Sequence, residues 1–331
     1  MTLSPRRGRS AIATVPEVTL SPFLDPAKRP LDPEKFGDPF VTAKGEARAH
    51  VALDRLETLW INTGTLCNLA CKSCYIESSP TNDALVYLTL AEVDAYLDEA
   101  ERMRCREIGF TGGEPFMNRD MVPMMRSALE RGFEVLVLTN AMRPMRRFEA
   151  ELIELNREYG KRLTMRVSLD HPDKAIHEAE RGPGTWDKAI DGLKWLSERG
   201  FRLAVAGRLL PGQSEAAERA GYARLFELLG IRVESGLVLF PEMDASADVP
   251  EITEACWGIL GVSPSAMMCA SSRMVVKRKG AVRSVVVACT LLPYDDQFVM
   301  GETLAQATGE VRLNHPHCAR FCVLGGASCT G

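Results

Sequence analysis

The chain has 331 residues, 46% of them hydrophobic and 25% charged, with a formal net charge of −4. This is the composition of a soluble globular protein large enough to bury a sizeable core, and the charge balance gives no reason to expect nucleic acid or an acidic membrane as a partner. No run of 18 apolar residues spans a membrane, and Arg6, Arg7 and Arg9 precede no apolar signal segment, so the cytoplasm is the expected compartment.

Residues 1–40 hold seven of the nineteen prolines, and residues 1–54 read as an extended, partly disordered lead-in. From residue 55 short apolar runs alternate with helical patterns. The runs are ETLWINT (57–63), REIGFTG (106–112), FEVLVLTN (133–140), RLTMRVSLD (162–170), FRLAVAGRLL (201–210) and IRVESGLVLF (231–240). Gly132, Gly160, Gly200 and Gly230 each stand just past a helical pattern, where a left-handed residue commonly ends a helix. Thr89 and Glu92 form a capping box, with Val93, Leu97 and Ala100 lining one face of the helix that follows. Trp186, Ile190, Leu193 and Leu196 do the same for a helix over 185–199.

Near-continuous apolar strands predict a parallel sheet covered by helices. Six βα units fit a partial (β/α)6 TIM-like barrel over residues 55–245, although periodicity alone also admits an open doubly wound sheet. Beyond residue 245 the rhythm stops. The stretch 272–289 reads as a β-hairpin turning at Gly280, and the tail is dense in Cys and Gly, so residues 246–331 form a separate Cys-rich region held by metal.

Ten cysteines in a large chain without a signal point to metal or redox chemistry rather than disulfides. Three of them, Cys67, Cys71 and Cys74, lie within CNLACKSCY, in the loop after the first predicted strand, where barrels place their active sites. Thiolates bind zinc or iron–sulfur clusters, and C-x3-C-x2-C by itself fits either. Three ligands on a four-iron cluster would leave one iron open, as a catalytic metal requires. The second predicted strand ends in Thr111-Gly112-Gly113-Glu114-Pro115, a turn that lets backbone approach a ligand and offers a carboxylate to an ammonium.

Together the two motifs, in this order, resemble those of the radical SAM superfamily, and the resemblance runs through roughly 55–245. LTN (138–140), SLD (168–170), Arg181-Gly182 and GRLLPGQSE (207–215) resemble its later, less specific elements. The resemblance implies that Cys67, Cys71 and Cys74 hold a [4Fe-4S] cluster whose open iron chelates S-adenosylmethionine. Gly112, Gly113 and Glu114 would hold the methionine ammonium, Ser168 and Arg181 the carboxylate, and Asn140 or Asp170 the ribose. Reductive cleavage would yield a 5′-deoxyadenosyl radical that abstracts a substrate hydrogen, with a flavodoxin or ferredoxin as reductant. One departure stands out: Ser73 occupies a position that is often aromatic in the family, with Tyr75 two residues on.

Cys269 and Cys289 bracket the predicted hairpin, and Cys318, Cys322 and Cys329 follow in the tail. The group resembles the SPASM and twitch auxiliary-cluster regions of radical SAM proteins. The longer form has seven cysteines and two clusters, whereas here five or six are available. One auxiliary [4Fe-4S] cluster is therefore implied, on Cys269, Cys289 and two of the last three, with Cys318 and Cys322 favoured. A zinc knuckle is the alternative. Cys105 and Cys256 read as core thiols, His315 and His317 as polar loop residues, His171 and His177 as near the barrel mouth, and Asp295 and Asp296 as solvated turn residues.

The expected function is a radical SAM oxidoreductase. The short Pro-rich lead-in leaves little room for a peptide-recognition domain, which favours a small-molecule substrate. A maturase acting on a ribosomal peptide is the second reading. A non-catalytic zinc-binding or electron-transfer protein is the third.

Overall fold

A computed structural model describes residues 29–326 apart from Pro211, Glu242, Met243 and Ala245. Cys329 and residues 1–28 lie outside the described residues.

The six expected strands are present: β1 Thr58–Asn62, β2 Glu107–Thr111, β3 Glu134–Thr139, β4 Leu163–Ser168, β5 Arg202–Arg208 and β6 Leu237–Phe240. Between them run α1 Leu90–Arg102, α2 Met121–Glu130, α3 Glu149–Tyr159, α4 Lys174–Arg181, α5 Thr185–Glu198 and α6 Glu215–Leu229. All neighbouring pairs from β1 to β6 are parallel and sequential in order. A doubly wound sheet would reverse its strand order at a switch point, so the curved, partial barrel is the architecture. It is not closed: β6 is a free edge of the sheet.

The other side of β1 does not end the sheet. β7, Ser272–Val276, pairs with β1 in parallel from Thr58↔Ser272 to Ile61↔Val275. β8, Val285–Val287, turns back antiparallel on β7, and β9, Val299–Gly301, follows antiparallel on β8. The expected hairpin thus extends the barrel sheet to nine strands.

Alternation along the strands divides the core in two. Leu59, Ile61, Val135 and Val137 face the helices, packing with Val93, Leu97, Leu129 and Leu193. Trp60, Leu136 and Leu138 face inward and join a second core with Met274, Val276, Phe321 and Val323. Gly109 makes that inner packing possible, because a Cβ there would sit 2.4 Å from the Trp60 ring.

Thr89 and Glu92 form the expected capping box at α1. Gly132, Gly200 and Gly230 have positive φ, but Gly160 does not: at φ −54° it is right-handed, and a Cβ there would press to 2.5 Å on the Asn156 carbonyl. Crowding, rather than handedness, is what selects glycine at that helix end.

The described part of the lead-in is not a loose segment. Residues 29–54 lie over the C-terminal region, with bridges Pro30↔Ala247 and Arg48↔Thr253 and the pairing of His50–Val51 with Val311–Arg312. Ala49 and Val51 are fully buried, and buried Arg48 pairs with Glu251 at 2.5 Å. Four of the seven prolines lie outside the described residues, and the described stretch includes turns as well as bridges. Proline content could not signal that this backbone covers a second core.

Candidate functional site

The C-terminal ends of all six barrel strands converge on one cavity of about 1080 Å³, its open mouth included. The loop after β1 brings Cys67, Cys71 and Cys74; the turn after β2 brings Gly112 and Gly113; β3 ends at Thr139 and Asn140. Ser168 and Asp170 come from β4, Arg208 from β5 and Phe240 from β6, with Arg181 reaching in from the end of α4.

The two sequence motifs are built as one unit. The Gly113 amide donates to the Gly64 carbonyl at 2.9 Å and that of Glu114 to the Leu66 carbonyl at 3.2 Å. Gly112 has φ +140°, and a Cβ on Gly113 would lie 2.3 Å from the Leu66 carbonyl oxygen. The double glycine therefore lets the cysteine-bearing loop cross directly over the turn, in addition to exposing backbone to the cavity.

Glu114 lies behind this turn, 1% exposed. Its carboxylate accepts from the amides of Phe116 (3.3 Å) and Asn140 (2.8 Å) and from the Thr139 hydroxyl (2.9 Å). Burial raises its pKa to about 7, against the lowering effect of those hydrogen bonds and of the Arg181 charge. Its bonds brace β2 against β3. Asn140 is fixed in turn, donating from Nδ2 to Asn68 in the cysteine loop at 2.9 Å.

Asp170, 3% exposed, is gripped by Arg181 through two bonds of 2.8 and 3.0 Å, with the Arg208 Nε at 3.4 Å. Burial alone would raise its pKa, but the two guanidiniums outweigh it and hold the carboxylate below its usual range. Arg181 is pushed the other way, its burial outweighed by Asp170 and by the thiols of Cys71 and Cys67.

Ser73 donates its hydroxyl to Glu180 at 2.8 Å, and the Lys72 amide donates to the Glu180 carbonyl at 2.9 Å. The serine thus ties the cysteine loop to the helix that carries Arg181. Tyr75 supplies aromatic surface to the cavity.

Burial raises the Cys67 thiol to about 12 and also raises Cys71. Neutral thiols in a desolvated wall are poor ligands until a metal displaces their protons. Among the described residues no three His, Cys, Asp or Glu side chains converge closely enough on a point to hold one ion.

A second, smaller cavity of about 380 Å³ brings together Cys269, Cys289, Cys318 and Cys322. Cys269 sits just before β7 and Cys289 just after β8, so the hairpin sets them side by side; Cys318 and Cys322 share one π-helical turn, Cys318–Val323. Burial raises Cys269 to about 11 and raises Cys318 as well. His317 also lines this cavity and is 7% exposed, its pKa lowered to about 4 by burial. It is an inward wall residue rather than a polar loop residue: its ring meets that of His315 at 4.7 Å, tilted by 54°, and His315 in turn sits edge-on to Phe298.

Other expectations divide. Cys105 is buried, as read, but Cys256 is only half-buried, since it serves in the first turn of a short surface helix where its sulfur meets Thr253. His171 faces Glu218 at 3.1 Å and His177 packs on Trp186 at 5.4 Å, neither of them on the cavity wall. Asp295 caps a short turn and Asp296 pairs with Arg278, as solvated residues do. Sequence reasoning singled out neither Arg208 nor the trio Thr290, Leu291 and Phe321, which closes the first cavity from the C-terminal region. For Arg208 the signals were its place at the end of a predicted strand and its position within GRLLPGQSE (207–215), which named the stretch but not the residue.

Residues 61–220 match the Radical SAM superfamily. The chain carries a radical SAM domain. Such domains use a [4Fe-4S] cluster and S-adenosylmethionine. Among curated relatives, the antilisterial bacteriocin subtilosin biosynthesis protein AlbA of Bacillus subtilis is 30% identical over 141 residues, 42% of this chain and 30% of its own length. A GTP 3′,8-cyclase of Rhodopirellula baltica is 32% identical over 200 residues, 58% of this chain and 51% of its own. The chain thus spans from about a third to a half of the length of these relatives. The crystal structure of Streptococcus suis SuiB bound to precursor peptide SuiA superposes with a TM-score of 0.56 at 13% identity, covering 83% of this chain and 67% of that one. At that identity the likeness is one of fold. No helix among the described residues is long and apolar enough to cross a membrane.

Proposed function

We propose that this protein is a radical SAM oxidoreductase with one auxiliary [4Fe-4S] cluster, its catalytic unit within residues 55–245 and its auxiliary unit within 246–331. The observation that carries the reading is the shared wall of the first cavity, where Cys67, Cys71 and Cys74 meet the Gly112–Gly113 turn, Asn140, Ser168, Asp170 and Arg181. When bound, the cluster and S-adenosylmethionine supply a 5′-deoxyadenosyl radical that abstracts hydrogen.

The chain's own contribution is placement and exclusion of water. Cys67, Cys71 and Cys74 would ligate the cluster. Backbone of Gly112 and Gly113 would meet the methionine ammonium, with Glu114 keeping the turn in place from behind. Ser168 and the guanidinium of Arg181 would take the carboxylate, Arg181 being held by Asp170, and Asn140 would face the ribose. Tyr75, Phe240, Leu291 and Phe321 give the remaining wall an apolar, largely aromatic character that keeps a reactive centre from solvent. Cys269, Cys289, Cys318 and Cys322 would hold the auxiliary cluster, as the second cavity supports. Leu291 lines both cavities, so the two sites share that side chain.

A small organic substrate is the first reading. A peptide is the second, favoured by the bacteriocin-biosynthesis relative and by the precursor peptide bound to SuiB. The test is anaerobic reconstitution with iron and sulfide, reduction by flavodoxin or dithionite, and assay of 5′-deoxyadenosine with S-adenosylmethionine. Product that disappears in Cys71→Ala supports the reading; no product from fully loaded protein across small-molecule and peptide panels overturns it.

A further inference from the structure

Arg273 is the second residue of β7 and is 1% exposed. Its guanidinium donates to four backbone carbonyls: Cys269 at 2.6 Å, Ser272 at 2.7 Å, Ala307 at 2.8 Å and Gly309 at 3.0 Å. Hydrogen bonding is thus well served, but charge is not. Among the described residues no carboxylate pairs with it, and the ionisable groups that would act on it by charge are Cys269 and Cys289, once they are thiolates. Arg48, equally buried, has Glu251 at 2.5 Å. A buried charge without an opposite one is strongly unfavourable, and carbonyl dipoles relieve only part of that. No Asp or Glu lines the second cavity either. The fold therefore holds a fixed cation one peptide unit behind a cavity ringed by four thiols and otherwise largely apolar.

We infer that Arg273 is a built-in countercharge for an iron–sulfur cluster on Cys269, Cys289, Cys318 and Cys322, and that it sets that cluster's reduction potential. The inference rests on the auxiliary-cluster reading above. A four-iron cluster with four thiolates is net negative, and reduction adds another negative charge. A fixed cation in a low-dielectric surround favours the reduced state and raises the potential. A purely structural role, holding the 307–309 turn onto β7, would leave the potential unchanged, and the two roles separate by charge.

The experiment uses the full chain carrying Cys67→Ala, Cys71→Ala and Cys74→Ala, reconstituted anaerobically so that only the second cluster contributes, and a redox titration followed by electron paramagnetic resonance. Arg273→Gln is expected to lower the midpoint, shifting the reduced-to-oxidised ratio at fixed potential at least tenfold, or about 59 mV for one electron. Arg273→Lys, which keeps the charge but loses the four-carbonyl fork, is expected to stay within about threefold of its parent while melting at a lower temperature. A Gln variant that loads its cluster with an unmoved midpoint overturns the inference. So does a Lys variant that drops by tenfold or more, which also decides the matter if the Gln variant fails to hold iron. A parent that assembles no second cluster overturns the inference and the auxiliary reading together; a loaded cluster that ignores Arg273 overturns the inference alone.

Discussion

All three cysteines of the first cavity come from one eight-residue loop, backed by a network of charged and polar groups. The four of the second come from three segments separated by up to 53 positions, Cys269 to Cys322, and sit in apolar packing. On the function proposed above, the difference follows from what each would do. A site that admits a zwitterionic cofactor and a substrate needs an open mouth and prearranged charges, and the Asp170–Arg181–Arg208 group supplies them. A site that only held a metal group could be nearly nonpolar, and its cysteines could then help knit distant parts of the chain together.

The largest effect that would break the comparison is on chemistry. Cys71→Ala is expected to cut 5′-deoxyadenosine formation at least about a thousandfold while the chain keeps the iron of its second site; loss of all iron would mean that the two sites do not assemble independently. Next comes Asp170→Asn. Leaving Arg181 and Arg208 without their carboxylate should destabilise the fold by about 3–5 kcal/mol, read by urea denaturation, and raise the KM for S-adenosylmethionine. An unchanged midpoint would remove Asp170 from the first cavity's framework.

Glu114→Gln sharpens the comparison through pH. The folded pKa of about 7 lies above the ordinary carboxyl value of 4.5, so native protein binds the proton more tightly than unfolded chain between these values. Stability from this group is full below pH 4.5 and declines as pH rises to 7, by up to about 3 kcal/mol. The Gln variant should show a flatter stability–pH profile over that window; an identical slope would assign the dependence elsewhere. The smallest effect is Ser73→Ala, which should lower stability by about 1 kcal/mol and weaken S-adenosylmethionine binding modestly, with the second cluster's spectrum unmoved. A change in that spectrum would tie Ser73 to the wrong cavity.

What was legible in the sequence follows the same division. The strands were readable because each is a continuous apolar run, and the first site because its thiols and its glycine turn lie on short contiguous stretches. Phe321 was not, since it meets the cavity through contacts across long separations that no local period encodes, and for Arg208 only its stretch, 207–215, stood out. The covering segment 29–54 escaped for a related reason. Its order depends on the Arg48–Glu251 pair and scattered bridges rather than on a helix or strand of its own. Ser73 looked like a lost aromatic contact until Glu180 came into place opposite it.

The parallel pairing of β7 with β1 bears on how the chain is made. β1 lies inside the finished sheet, yet one of its two neighbours is synthesised roughly 200 residues after it, on the order of ten seconds or more at ordinary elongation rates. During that time the barrel half can form with β1 as an exposed edge, a state open to mispairing with other chains. The C-terminal cysteines emerge together with the strand that covers that edge. Completing the four-cysteine cavity and covering the β1 edge therefore both wait for the same last part of the chain.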